Sequence, residues 1–168
     1  MKIGRQTIEF KNKPAIIAAS TLVGPKETEG YFKDYFKHFI KDDTFGEKTF
    51  EKSEREMLIY TIKTAIDKTK YSYSDIDVII GGDLLNQIIS ATFSAREFKV
   101  PFLGIYSACA TYCQALILGA SMVDSCYREN AVCCTSSHFS SAERQYRFPL
   151  ELGTMRTPAQ QWTVTGAG

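Results

Sequence analysis

Residues 101–120 read PFLGIYSACATYCQALILGA, and this stretch decides the fold of the chain. Residues 101–106 form a short apolar run behind a proline, which is typical of a buried strand. Residues 112–127 are apolar on almost every side, which predicts a helix that is buried on most of its faces. Cys109 therefore lies where a strand turns into a buried helix, and all its immediate neighbours are small.

This position makes Cys109 a candidate nucleophile. A tight turn from strand to helix presents a side chain above the sheet and requires small neighbouring residues. The start of a helix also favours negative charge, so it stabilises a thiolate over a thiol. The alternative is that Cys109 is only a small apolar residue of the core, as free cysteines often are. The residues of this stretch leave both interpretations open.

The rest of the chain alternates between strand and helix patterns around this stretch. This order predicts an α/β fold with a mixed, mostly parallel, five-stranded sheet and helices on both faces. We expect the last strand to run antiparallel to the others, and residues 28–52 to cross the surface with short helical pieces. Ser53 is the expected N-cap of the first long helix, with Glu56 at the reciprocal position, and Asn130 is the expected stop of the third. The predicted strands are 14–20, 78–82, 101–106, 131–135 and 161–165, with a short edge strand at 3–10, and the predicted helices are 53–70, 86–98 and 112–127.

Polar side chains follow three of these predicted strands. Ligands of such sheets bind outside the carboxyl ends of parallel strands, so we expect these side chains to converge on one region. The expected site residues at the strand ends are Asp83, Asn86, Cys109, Ser136, Ser137 and His138. Arg144 is a further candidate, although residues 141–149 with Glu143 and Arg147 are also typical of a salt-bridged surface loop.

The composition excludes several classes of protein. The chain has 20 Lys and Arg against 19 Asp and Glu, so nothing indicates a nucleic-acid partner or an anionic membrane surface. No apolar run is long enough to span a membrane, and the N-terminus lacks a signal-peptide core. The 5 cysteines match no zinc spacing and there are only 2 histidines, so we expect no metal. An odd number of clustered thiols indicates synthesis in the reducing cytosol.

Several motifs, in order along nearly the whole chain, resemble the stage V sporulation protein AD family. The resemblance implies a thiolase-like fold and a protein of endospore-forming bacteria that binds dipicolinic acid. It also implies membrane-embedded stage V sporulation partners, which move dipicolinate into the developing spore, and a peripheral location on the spore inner membrane. The motifs are Gly24–Glu27, Gly82–Gln87, Pro101–Leu103, Ala108–Thr111, Thr135–His138, Ala142–Pro149 and Thr163–Gly166.

Two departures from the family pattern bear on function. Ala110 stands where the family motif leads us to expect a serine. Thiolase-like proteins have two similar halves, and we expect residues 1–168 to be the N-terminal half alone, without the second half and its activating histidines. We therefore expect a non-catalytic dipicolinate-binding component without a cofactor. The alternative is a thiolase-like acyl-transfer enzyme with Cys109 as nucleophile.

The missing half has a consequence for the helix that begins near Cys109. Its sequence is apolar on nearly every face from Ala110 to Val123, and in thiolase-like proteins the two halves meet around such helices. A large contiguous apolar patch rarely stays open on a soluble monomer. We therefore expect self-association through this helix or pairing with the missing half.

Overall fold

The structure, a computed structural model, describes residues 2–146 and 163–168. The strands in chain order are β1 (Leu22–Val23), β2 (Val78–Gly82), β3 (Phe102–Gly104), β4 (Ala131–Ser137) and β5 (Gly166–Ala167). The α-helices are α1 (Phe50–Asp67), α2 (Ile89–Ala95), α3 (Thr111–Asp124) and α4 (Phe139–Tyr146). Short 3-10 turns lie at Lys26–Glu29, Lys33–Tyr35, Tyr73–Asp75, Asn86–Ile88, Arg96–Phe98 and Ala108–Ala110.

The five strands form one mixed sheet in the order β1-β5-β4-β2-β3. β2 pairs in parallel with both β3 and β4, whereas β5 runs antiparallel to its two neighbours, β4 and β1. The predicted α/β class, the five-stranded mixed sheet and the antiparallel last strand are confirmed. Two parallel strands, β2 and β4, therefore end side by side at the same edge of the sheet.

Helices cover both faces of this sheet because β2 is apolar on both sides. Ile79 packs into a large cluster with α1 and α2 on one face. Val78 and Ile80 point the other way and pack against Ala115 of α3. This alternation follows from the two-residue period of a strand, and it explains why the run Val78–Ile80 is apolar throughout.

Two predicted N-terminal strands are wrong. Residues 3–10 make only an isolated bridge between Lys2 and Ile8, and the side chains of Ile3 and Ile8 are exposed. Residues 14–20 form no strand, and Ile16 is 76% exposed. The described pairing of this part of the chain begins at Leu22, opposite Ala167, and no residue of 2–146 or 163–168 pairs as a strand with 14–20.

The helix boundaries also differ from the prediction. α1 begins at Phe50 after the N-cap Thr49, whose side chain accepts a hydrogen bond from the Lys52 amide. Ser53 and Glu54 are therefore buried inside the helix instead of capping it. α3 ends at Asp124, six residues before the expected stop at Asn130.

The C-terminal strand is displaced from its predicted position. Residues 163–165 are not in a strand, and the pairing begins at Gly166. Residues 161 and 162 of the prediction lie outside the described residues, as does Arg147.

The region around Arg144 is helix α4 and not a loop, although Arg144 does form the expected type of ion pair, with Glu51.

Helix α3 is less buried than its sequence predicts. Within the helix only Thr111, Ala115 and Gly119 are buried, whereas Ile117 is 62% exposed and Tyr112 is 40% exposed. Residues 14–18 lie beside this helix and line a groove of about 380 Å³ with it. No charged residue occurs between Val100 and Val123, so the exposed part of α3 is an uncharged, largely apolar surface.

Candidate functional site

A cleft of about 700 Å³ lies at the carboxyl ends of β2 and β4. Its position follows from the parallel pairing of these two strands, because their last residues meet at one edge of the sheet. Its volume falls within the range of small-molecule sites, which is about 300–1,000 Å³. The cleft is lined by Thr21–Val23, Phe36, Gly82–Leu84, Ala108, Cys109, Thr111, Tyr112, Thr135–Ser137, Thr163, Val164 and Gly166–Gly168.

Cys109 is presented to this cleft by a strained turn. Ala108 has a φ of 47°, a left-handed conformation that is uncommon for a residue with a side chain. The Thr111 hydroxyl holds the turn, since it accepts from the Ser107 amide at 3.0 Å and donates to the Ala108 carbonyl at 2.8 Å. The Cys109 side chain is exposed and not part of the core. The predicted strand-to-helix turn is therefore present, and the interpretation of Cys109 as a core residue does not fit.

Asp83 lies at the floor of the cleft with only 2% of its surface exposed. Its two carboxylate oxygens accept the backbone amides of Leu85 and Ala91, each at 2.7 Å. Burial raises the pKa of Asp83, and these amide hydrogen bonds act in the opposite direction. Asp83 thus anchors the start of α2 below the cleft.

Ser136 and Ser137 form the wall of the cleft at the end of β4. The buried Ser136 hydroxyl donates to Glu54 Oε1 at 3.0 Å. The Ser137 hydroxyl donates to the Val164 carbonyl at 2.5 Å, which ties this wall to the opposite one. Both serines are therefore engaged in fixing the shape of the cleft.

His138 is fully buried beside this wall but does not line the cleft. Its Nε2 bonds to the Asp43 carbonyl at 2.8 Å, and its Nδ1 accepts from the Ser140 amide at 3.2 Å. The ring stacks against Phe50 and Phe139. Burial lowers the pKa of His138, while the Asp43 carbonyl raises it. Both nitrogens of His138 are thus engaged away from Cys109.

Asn86 and Arg144 lie outside the cleft lining. Asn86 is exposed, and its backbone amide donates to the Gln145 side chain at 2.7 Å. Arg144 forms an ion pair with Glu51 on the surface. Of the seven sequence-predicted residues, the structure therefore brings Asp83, Cys109, Ser136 and Ser137 together at the cleft, and no lysine or arginine of the described part of the chain lines it.

Sequence reasoning missed the buried carboxyl behind the cleft wall, that of Glu54. The side chain of Glu54 is 1% exposed and accepts hydrogen bonds from Ser136 and Ser141. A signal was present, because Glu54 precedes Met57 and Leu58 by three and four residues on the apolar face of α1. The position of Glu54 beside the expected N-cap Ser53 hides this signal, because acidic residues are common at helix starts.

Within residues 2–146 and 163–168, no helix is long and apolar enough to cross a membrane. Within the same residues, no three His, Cys, Asp or Glu side chains are grouped so that they could hold a metal ion.

Comparison with known proteins identifies the family. The family model for stage V sporulation protein AD (SpoVAD) matches residues 4–168. The chain is also 34% identical over 165 residues to stage V sporulation protein AD of Bacillus subtilis (strain 168). This alignment covers 98% of the chain and 49% of the Bacillus protein, so the chain spans about half the length of that relative. The chain belongs to the stage V sporulation protein AD family.

Proposed function

We propose that this sporulation protein is a dipicolinic-acid-binding component of the machinery that moves dipicolinate into the developing endospore. The ligand site is the cleft beside Cys109. The observation that carries the proposal is the convergence of Asp83, Cys109, Ser136 and Ser137 on one cleft of about 700 Å³. Family membership supplies the ligand, through the resemblance described above.

The shape of the cleft suits a flat ring with polar edges. Leu22, Val23 and Val164 supply apolar surface, and Ala108 and Cys109 line the cleft at the turn before α3. The amides of Ala110 and Thr111 bond to the Ser107 and Ala108 carbonyls within this turn, so a carboxylate bound here would be met by the amides of Ala108 and Cys109. The fully buried Asp83 is already occupied by the amides of Leu85 and Ala91, so it supports the floor.

Substitution at Cys109 tests this assignment. We expect Cys109→Ser to bind dipicolinate nearly as the parent does, because the side chain is exposed and changes little in volume. Cys109→Phe adds an aromatic ring at the lining of the cleft, so calorimetric titration should show dipicolinate affinity reduced by about tenfold or more, which is about 1.4 kcal/mol. The melting temperature should change little, since no core residue is displaced.

Cys113→Phe is the matched control. Cys113 is also exposed, lies one helical turn further along, and does not line the cleft. Equal loss of affinity in the Cys109→Phe and Cys113→Phe variants would mean that the cleft is not the binding site.

An acyl-transfer enzyme is the second candidate, and the strained turn at Ala108 favours it, because such a turn exposes a nucleophile. Nucleophilic catalysis also needs a base. The two histidines of the chain do not line the cleft: His138 is bound to Asp43 and Ser140, and His38 bonds to Tyr60. Incubation with acyl-coenzyme A followed by intact mass decides: a fast-forming thioester on Cys109 would favour the enzyme.

We further propose that residues 1–168 are the N-terminal half of a thiolase-like fold. The protein would be made in the cytosol and act at the spore inner membrane with stage V sporulation membrane proteins. The sheet order with an antiparallel last strand supports the fold, and the twofold greater length of the Bacillus relative supports the division into halves. The exposed surface of α3 is where a second copy or the other half would pack.

Light scattering tests this surface. We expect purified residues 1–168 to self-associate in a concentration-dependent manner, because the exposed part of α3 is apolar and uncharged. Ile117→Lys should increase the monomer fraction. Tyr31→Lys, at a side chain that is 91% exposed and remote in sequence from α3, should not. A parent chain that stays monomeric at micromolar concentration would contradict this proposal.

A further inference from the structure

Glu54 projects from α1 into a buried cluster directly behind the cleft wall. Its Oε1 lies 3.0 Å from the Ser136 hydroxyl of β4, and its Oε2 lies 3.0 Å from the Ser141 hydroxyl of α4. Glu54, Ser136 and Ser141 are all buried. One carboxyl group therefore joins α1 to the two elements that carry one wall of the cleft.

The surroundings of Glu54 indicate that it carries a proton. Its hydrogen-bond partners are the Ser136 and Ser141 hydroxyls, and no lysine, arginine or histidine side chain of the described residues bonds to it. A hydroxyl can accept a hydrogen bond as well as donate one, so both contacts are compatible with a protonated carboxyl. A buried carboxylate without a cationic partner is costly, which favours the protonated form. The His138 carbonyl does not compete for Ser141, because it accepts from the Ala142 amide at 3.0 Å.

The charges around Glu54 act in the same direction. Burial raises the pKa of Glu54 to about 8, and the negative charge of Asp83 adds to this, whereas the Ser141 and Ser136 hydroxyls lower it. The other titratable groups near this cluster are Glu51 on α1, Asp43, His138, and Glu143 and Arg144 on α4. Arg144 pairs with Glu51, so its charge is engaged at the surface.

The cluster is connected to the far wall of the cleft through α4. The Phe139 amide donates to the Thr165 hydroxyl at 3.1 Å, and Glu143 accepts from the Thr163 amide at 3.3 Å. Ser136 is paired with Ala167 across the sheet. A change in how α4 and Ser136 are held therefore reaches residues 163–168, five of which line the cleft.

We propose that Glu54 is a positioning residue of the cleft, which in its protonated form fixes Ser136 and α4 and on ionisation loosens the wall formed by residues 163–168. On ionisation the proton leaves to solvent and a negative charge without a cationic partner remains in the buried cluster, so movement of α4 and Ser136 away from α1, which admits water, is favoured. The cleft is then expected to be well formed at neutral pH and to lose order under alkaline conditions.

The protonation state is tested on the parent protein by infrared titration with ¹³C-carboxyl glutamate. We expect a protonated glutamic acid band at neutral pH that disappears as the pH rises through about 8. Glu54→Gln should lack this band, and Glu56→Gln should keep it, because Glu56 is a half-exposed carboxylate paired with Arg55. The absence of the band in the parent at neutral pH would overturn the proposal, whether or not the variants fold.

The positioning role is tested by hydrogen exchange, corrected for the intrinsic rate at each pH. Protection of residues 163–168 should fall in the parent and in Glu56→Gln as Glu54 ionises. It should stay constant in Glu54→Gln, whose amide can donate to Ser141 and accept from Ser136 without titrating. A parent-like pH dependence in Glu54→Gln, or constant protection in the parent, would overturn the role.

The predicted effect of Glu54 on dipicolinate binding rests on the proposed function. The affinity for dipicolinate should fall about tenfold across the same alkaline transition in the parent. This corresponds to a shift of about one unit in the pKa of Glu54 when dipicolinate binds. The affinity should remain constant in Glu54→Gln. If dipicolinate does not bind at any pH, the proposed function fails, while the infrared and exchange results still decide the role of Glu54. Binding with the same pH dependence in both proteins would count against Glu54.

Discussion

Gly82→Ala is expected to destabilise the fold by about 3 kcal/mol, a large part of the stability of a small domain. Gly82 is the buried last residue of β2, where the backbone approaches the strand that leads to Cys109. A Cβ atom at this position would lie 2.1 Å from the Ile105 carbonyl oxygen and 3.2 Å from Thr111 Cγ2. The nearest obstacle is backbone, so relief requires the two strand ends to separate and the cleft floor to deform.

Urea unfolding of Gly82→Ala measures this effect, with Gly30→Ala as the control. A Cβ atom at Gly30 would meet only the Glu27 carbonyl at 3.5 Å, an ordinary contact, and the residue is exposed. We expect Gly30→Ala to change stability by no more than about 0.5 kcal/mol. Similar unfolding midpoints for the two variants would mean that the close approach at Gly82 is not a packing constraint.

His138→Ala is expected to cost about 3 kcal/mol. The substitution leaves a cavity between Phe50 and Phe139, whose ring centroids lie 4.8 Å and 5.1 Å from the imidazole. It also removes one of two partners of the Asp43 carbonyl, the other being the Ser53 hydroxyl at 2.9 Å. His38→Ala is the control, because His38 is half-buried and makes one side-chain hydrogen bond, to Tyr60; we expect about 1 kcal/mol there.

The stability that is lost in His138→Ala should depend on pH. Because burial lowers the pKa of His138 below its ordinary 6.5, the unfolded chain binds more protons than the folded one in that range. The contribution of His138 to the free energy of unfolding is therefore complete above about pH 6.5, and it is lost as the pH falls through the lowered pKa of His138. The stability difference between the parent and His138→Ala should shrink on acidification. A difference that grows on acidification would contradict a buried, neutral His138.

The central elements were predictable because their signals are local. Val78–Gly82 is apolar on both sides and ends in glycines, so the strand and its bounds followed from the sequence. The turn at Cys109 followed from small residues between an apolar run and an apolar helix. Residues 14–20 show the limit, since their apolar pattern is that of a strand but no strand among the described residues pairs with them.

The site was predicted in part, for a similar reason. Asp83, Cys109, Ser136 and Ser137 follow parallel strands, and strand ends converge by the geometry of the sheet. His138 and Arg144 were placed with them because they follow β4 closely in sequence. The first side chain turns into the core and the second lies on a helix facing Glu51, and sequence spacing does not specify these directions. Glu54 was missed because its role depends on two serines more than 80 residues away.

The most direct test of dipicolinate binding in the cleft is protection of individual thiols. The protein is treated with iodoacetamide with and without dipicolinate, and the labelling rates of Cys109 and Cys113 are compared by peptide mass. Both thiols are exposed, but only Cys109 lines the cleft, whereas Cys134 is fully buried, which raises the pKa of its thiol to about 12. We predict that dipicolinate slows labelling of Cys109 and leaves Cys113 unchanged; equal labelling of Cys109 with and without saturating dipicolinate would contradict the account.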